Sequence, residues 1–219
     1  MQKKIRQGDR DMKKLGGVFV SAVLAGVAIA LGGTVFLSLD DKVLGALFFT
    51  VGLFTVCTLG LQLFTGKVCY IFEQDRAYAA ALPVIWLGNL TGAWLTAAFE
   101  QLTRIGPHLR ERALALCATK LSDGLLSIFV LAMFCNMLIY LAVDGYKNNP
   151  HEFGKYLALF FGVTVFILCG FEHCVANMYY FSTAGAWSPR TLGYLLVMTL
   201  GNAAGGVAFP LLRGLIKKA

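Results

Sequence analysis

Gly170-Phe171-Glu172-His173-Cys174-Val175-Ala176-Asn177-Met178-Tyr179 lies inside a strongly apolar stretch that otherwise reads as a membrane helix. An acid and an imidazole side by side in hydrocarbon are costly, and such groups in a membrane segment mark a transport pathway by default. The stretch has a counterpart 110 residues earlier, Gly60-Leu61-Gln62-Leu63-Phe64-Thr65-Gly66-Lys67-Val68-Cys69-Tyr70. In this pairing Gly60 stands over Gly170, Gln62 over Glu172, Leu63 over His173 and Tyr70 over Tyr180. Two matching interrupted segments, one in each half of a chain, are the sequence signature of a channel or transporter built from inverted repeats.

Composition agrees. The chain is 58% hydrophobic and 14% charged, with a mean hydropathy of +0.69. A soluble domain carries about a quarter charged residues, so an integral membrane protein in contact with the lipid bilayer is expected. The net charge of +7 does not point to nucleic acid, because the Lys and Arg gather at the termini and connections, as topology signals do.

Crossing a bilayer takes about 20 apolar residues. Six spans are predicted: roughly Leu15–Leu37, Val43–Phe72, Ala79–Leu102, Leu121–Val143, Tyr156–Thr183 and Leu192–Leu212. The second and fifth are longer than a crossing requires and contain the two matching words, so each is expected to be a broken helix with irregular backbone in the middle. The match extends further. Gly52 and Val56 face Gly162 and Phe166 at the same offset of 110, and Gly88-Asn89-x-x-Gly92 faces Gly201-Asn202-x-x-Gly205 at 113. These glycines suit close helix packing. Three spans per half is an odd number, so the halves face opposite ways. The expected fold is an all-α membrane protein, one transmembrane channel domain over residues 1–219 with repeats at about 15–104 and 120–213.

With six spans, one side receives Lys3, Lys4, Arg6, Arg10, Lys13, Lys14, Arg76, Lys147, Lys155, Arg213, Lys217 and Lys218, and the other Lys42, Arg104, Arg110, Arg112 and Arg190. Twelve against five places both termini in the cytoplasm of a multi-pass protein of the inner (plasma) membrane. Met1–Lys14 is basic, but without a short apolar region and a small-residue cleavage site it is not read as a cleavable signal.

His173 is the only histidine inside a span, since His108 and His151 lie in connections. A neutral imidazole can bind a small anion and exchange a proton with it near neutral pH; the plainer reading is a structural histidine tied to a carbonyl. Thr65 lies in the partner break, where a hydroxyl and exposed N–H groups can bond an anion that has shed its water. Gly66 permits unusual backbone angles there. Lys67 either holds positive potential at a pore mouth or snorkels toward water. Lys120 is read as opening the fourth span, with Asp123 at i+3 or Glu172 as its partner. Asn136 needs a partner or a cavity. Phe49, Leu53, Leu63 and Phe166, near the breaks, are either ordinary packing or apolar constrictions that gate by excluding water. Cys57, Cys69, Cys117, Cys135, Cys169 and Cys174 show no CxxC pair and read as small buried thiols; neither metal nor cofactor is expected.

These residues together resemble the formate/nitrite transporter family, anion channels of aquaporin-like fold that include hydrosulfide channels. The resemblance covers all six spans. It rests on Gly170-Phe171-Glu172-His173-x-x-Ala176-Asn177-Met178 and Leu63-Phe64-Thr65-Gly66, with Lys120-Leu121-Ser122, Cys135-Asn136 and the two Gly-Asn-x-x-Gly motifs in support. It implies a homopentamer with one pore per protomer, His173 at the pore centre and Thr65 on the loop of the broken second helix. It further implies an outer constriction of Phe49 and Phe166 and an inner one of Leu53 and Leu63. Lys120 would draw in the anion, Glu172 would hold that lysine and the break, and Asn136 would join the central polar network. Gln62, where an acid often precedes Leu-Phe-Thr, Asp123 at a position often aromatic, Ala132 in place of a common glycine, and Lys67 depart from the family pattern. They leave formate, nitrite, hydrosulfide and small carboxylates such as acetate or lactate open as substrates.

Two other functions compete. A neutral-solute channel of aquaporin type would carry two Asn-Pro-Ala boxes, and the chain has neither. A membrane enzyme using Glu172, His173 and Cys174 would need further ligands or a nucleophile–base pair within the membrane, and the sequence presents none. A non-enzymatic anion channel is the expectation.

Overall fold

The computed structural model describes the backbone of residues 2–216 and the side chains of residues 14–216. Lys3, Lys4, Arg6, Arg10, Lys13, Lys217 and Lys218 of the charge count, and all but the end of Met1–Lys14, have side chains outside the described residues. Ten helices and no strand occur among the described residues: α1 (Gln2–Ser38), α2 (Lys42–Phe49), α3 (Val51–Thr58), α4 (Phe64–Val68), α5 (Arg76–Glu100), α6 (Gly106–Ser122), α7 (Leu125–Asn148), α8 (Glu152–Leu168), α9 (Cys174–Ala184) and α10 (Pro189–Ile216). α1 from Lys14 onward, α5, α7 and α10 are long and apolar enough to cross a membrane. The second and fifth expected spans are interrupted: α2, α3 and α4 divide one, and α8 and α9 divide the other.

The interruptions have the same local cause. Gly60 and Gly170 take φ of +66° and +69°, the left-handed conformation that glycine adopts without steric cost. Beyond each, the chain turns back on the helix it leaves. Leu61 N–H donates to the Val56 carbonyl (2.9 Å) and Gly60 N–H to that of Cys57 (3.4 Å). Phe171 N–H and Gly170 N–H do the same to Phe166 (3.0 Å) and Ile167 (3.1 Å). This paired 6→1 and 5→2 closure is the Schellman motif, which ends a helix while satisfying its last carbonyls.

The Gly-Asn-x-x-Gly motifs set how the long helices pack. A Cβ at Gly92 would fall 2.0 Å from the Val23 carbonyl oxygen, and one at Gly205 2.0 Å from that of Met133. Gly88 and Gly201 approach the carbonyls of Phe19 and Phe129 in the same way. Val23 and Met133, like Phe19 and Phe129, are 110 residues apart. α5 therefore lies against α1 as α10 lies against α7.

The structure corrects the sequence reading between Arg104 and Leu125. That segment was expected to be a connection leading to a fourth span beginning near Lys120, but most of it is α6, a further helix. Leu109, Ala113, Cys117 and Lys120 form its buried face, which packs on α9. Lys120 sits in the last turn of α6, and the fourth apolar helix begins at Leu125. A window scaled to membrane crossings overlooks α6 because its other face is polar and charged. The cysteine expectation also needs adjustment: Cys57 is half-buried and Cys169 exposed.

Candidate functional site

The breaks at residues 59–63 and 169–173 expose backbone groups that an apolar interior cannot leave unpaired. One buried asparagine serves each. Asn89 of α5 accepts from Phe64 N–H (2.8 Å) and donates to the carbonyls of Gln62 (2.9 Å) and Ala22 (2.8 Å). Asn202 of α10 accepts from Cys174 N–H and donates to Glu172 and Ala132, each at 2.8 Å. Phe64, Gln62 and Ala22 correspond to Cys174, Glu172 and Ala132 at the offset of 110. The two brackets are the same construction, and each uses an asparagine's acceptor and both its donors.

Phe64, Thr65, Gly66 and Lys67, expected on the loop of the break, instead form the short helix α4, and Gly66 takes no positive φ. Thr65, just past one break, meets His173 at the end of the other. Thr65 Oγ1 lies 2.9 Å from His173 Nε2, with both residues buried. His173 is also the N-cap of α9: its Nδ1 accepts from Ala176 N–H at 3.1 Å. With Nδ1 committed as an acceptor, the proton of a neutral imidazole sits on Nε2, which donates to Thr65. That leaves the Thr65 hydroxyl hydrogen available to a third group. Asn136 fixes the Thr65 backbone, donating to its carbonyl (3.1 Å) and to that of Asn202 (2.8 Å).

Apolar rings flank this contact. Phe166 stacks on His173 with centroids 5.6 Å apart and 18° between planes, and meets Phe49 edge-on at 5.9 Å. On one side a cavity of about 40 Å³ is walled by Phe166, His173, Lys120, Asn177 and Tyr180. On the other, a cavity of about 170 Å³ is walled by Leu53, Leu63, Gly66, Lys67 and Lys147.

Lys120 Nζ donates to Glu172 Oε2 at 2.6 Å, and Asn177 Nδ2 donates to the same oxygen at 2.8 Å. Both charged side chains are at least nine-tenths buried. Such a pair persists only when its remaining hydrogen bonds are met. Lys120 forms part of the cavity wall, and Glu172, its counter-charge, does not. Asp123, the other partner considered from sequence, instead accepts from Ser127 and from Gly124 N–H.

Residues 1–214 match the family model described as Formate/nitrite transporter. The chain belongs to the formate/nitrite transporter family. It is 30% identical to a probable formate transporter of Methanothermobacter thermautotrophicus over 91% of this chain and 88% of that protein. It is 29% identical to the nitrite transporter NirC of Salmonella typhimurium, over 88% and 80%. Among solved structures, a pentameric formate channel with formate bound superposes with a TM-score of 0.80 at 26% identity, covering 94% of this chain and 99% of that one. As a member of this family with several apolar helices, the chain is a multi-pass membrane protein, and its relatives are transporters and channels.

Within this member of the family, Thr65, His173, Phe49 and Phe166 come together at the break contact, Asn136 braces it, and Lys120 and Glu172 pair beside it. Leu53, Leu63, Gly66 and Lys67 wall the opposite cavity. Phe64 lends its backbone N–H to the Asn89 bracket. Sequence reasoning missed the asparagine brackets, although the Gly-Asn-x-x-Gly repeat signalled them and was read only for its glycines. It also missed Asn177, which stands in the opening motif, and Tyr180.

Proposed function

We propose that the chain is a channel for small monovalent anions of weak acids, formate, nitrite or hydrosulfide, whose path passes the Thr65–His173 contact between two apolar constrictions. The observation that carries this reading is that contact: two breaks from opposite halves meet through a hydroxyl and an imidazole, with Phe49 and Phe166 beside it and Leu53 and Leu63 lining the cavity beyond. A bare anion crosses apolar rings only at a large desolvation cost. Lys120 attracts it to the smaller cavity, and Thr65 and His173 offer it hydrogen bonds as its water is lost. Protonation there by a proton from water, with neutral His173 donating a hydrogen bond while its Nδ1 stays on Ala176 N–H, yields a neutral acid that passes the rings.

The paired Schellman breaks, asparagine brackets and glycine contacts at an offset near 110 support two three-span repeats of opposite orientation, with the broken segments as second and fifth spans. The Lys and Arg distribution supports cytoplasmic termini in the inner membrane, which puts the Lys147-side cavity on the cytoplasmic face. The pentameric relative supports a homopentamer.

Uptake into proteoliposomes tests the function. Wild type should carry at least one of formate, nitrite and hydrosulfide, faster as pH falls from 8 to 5, and Thr65→Val and His173→Ala should slow that uptake severalfold. Uptake unchanged in both variants, or absent in wild type, contradicts the proposal.

A further inference from the structure

Two tyrosines stand side by side on α9, and their hydroxyls meet different fates. Tyr179 Oη donates to Glu100 (2.6 Å) and lies 3.0 Å from Thr34 Oγ1, so the fold itself satisfies it. Tyr180 is 3% exposed, and its hydroxyl has no hydrogen-bond partner. A buried polar group without a partner carries its full desolvation cost, so an orphan of this kind calls for an explanation. Tyr180 belongs to the wall of the 40 Å³ cavity, together with Lys120 and His173. Its ring is held between Tyr179 and Phe36, with centroids 5.8 and 6.4 Å away, and Lys120 Nζ lies 6.0 Å from its centre. The ring is thereby fixed in the cavity wall.

We propose that Tyr180 is a specificity residue of this cavity: its hydroxyl donates to a weak-acid oxyanion of three non-hydrogen atoms, formate or nitrite, and favours these over hydrosulfide. The proposal rests on the channel reading above and narrows its substrate. Three features of the cavity agree. A water needs about 10–15 Å³ of such space, so 40 Å³ has room for the three non-hydrogen atoms of formate or nitrite. Oxyanion oxygens are strong acceptors for Tyr180 and Lys120, whereas sulfur accepts weakly. Asn177 stands in the same wall, and its Oδ1, also without a partner, is an acceptor that a bare anion cannot use. Once protonated, the acid offers Asn177 its O–H, so the two orphans suit an oxyacid in both of its states.

Tyr70, which corresponds to Tyr180 at the offset of 110, provides the control. Its hydroxyl is likewise unpartnered and Lys147 lies 4.4 Å above its ring, yet it is not in the wall of the Lys147-side cavity. Tyr180→Phe removes one oxygen and no existing hydrogen bond, so the fold should be kept. In proteoliposomes of the full chain, the half-saturating concentration for formate and nitrite should rise about tenfold, the scale of a lost hydrogen bond to a charged group. Hydrosulfide should change less than twofold, and Tyr70→Phe should alter none of the three. In detergent, added formate should raise the melting temperature of wild type but not of Tyr180→Phe. If Tyr180→Phe fails to assemble, wild type decides: formate must stabilise it more than hydrosulfide does at equal concentration, and equal shifts overturn the proposal. Equal change in all three fluxes, or none while wild type conducts, also overturns it. A wild type that carries none of the three overturns the channel reading itself.

Discussion

Glu172 and His173 are neighbours in the chain but serve different partners, and this division organises the site. Glu172 holds Lys120 and Asn177, while His173 caps α9 through one ring nitrogen and meets Thr65 through the other. Removing one member of a buried pair strands the other charge, at a cost of about 3–5 kcal/mol. Glu172→Gln should therefore markedly lower the melting temperature of the purified protein. Lys120→Met combined with Glu172→Gln should regain most of that loss, since no charge is then stranded, yet transport should stay impaired. A double variant no more stable than the single one would contradict this account of the pair. Sequence singled these residues out because polar groups in apolar segments are conspicuous, although it put Lys120 at the start of the fourth span and not in the last turn of α6. It could not choose Lys120's partner: proximity favours Asp123, but α6 ends at Ser122 and Asp123 is extended (φ −77°, ψ 159°), so helical i+3 spacing no longer applies.

At the scale of elements, the breaks depend on residues outside them. Asn202→Ala would orphan Cys174 N–H and the carbonyls of Glu172 and Ala132, each loss costing about 1–3 kcal/mol if no water replaces it. Asn89→Ala should act alike on the other break. Thermal unfolding should show both as strongly destabilised, and a near-neutral Asn202→Ala would mean that the loop holds itself. Gly205→Ala would press a methyl into the Met133 carbonyl and should destabilise by about 1–3 kcal/mol or more. Gly193→Ala, on the same helix with nothing within 4 Å, should be neutral or stabilising by up to about 1 kcal/mol. The breaks were legible because length and glycine reveal them. The asparagine brackets were not, since which carbonyl an amide meets is decided only when the loop turns. α6 was not, because half its surface is polar and membrane hydropathy averages that half in.

Across the whole molecule, large apolar side chains stand exposed on the long helices, among them Leu24, Leu31, Trp94, Leu126 and Leu200, each at least half exposed. Lipid or neighbouring subunits must cover such surfaces. If the proposed pentamer holds, native mass spectrometry should find five times the 23.8 kDa chain mass. A weak-acid anion that crosses as a neutral species past His173 carries one proton with it. This is tested by recording lumenal pH with a trapped dye while a formate gradient is imposed on proteoliposomes, against protein-free vesicles. Lumenal acidification well above the lipid leak is expected, in step with formate uptake and reduced in His173→Ala. Formate uptake that builds a membrane potential without acidification would contradict it.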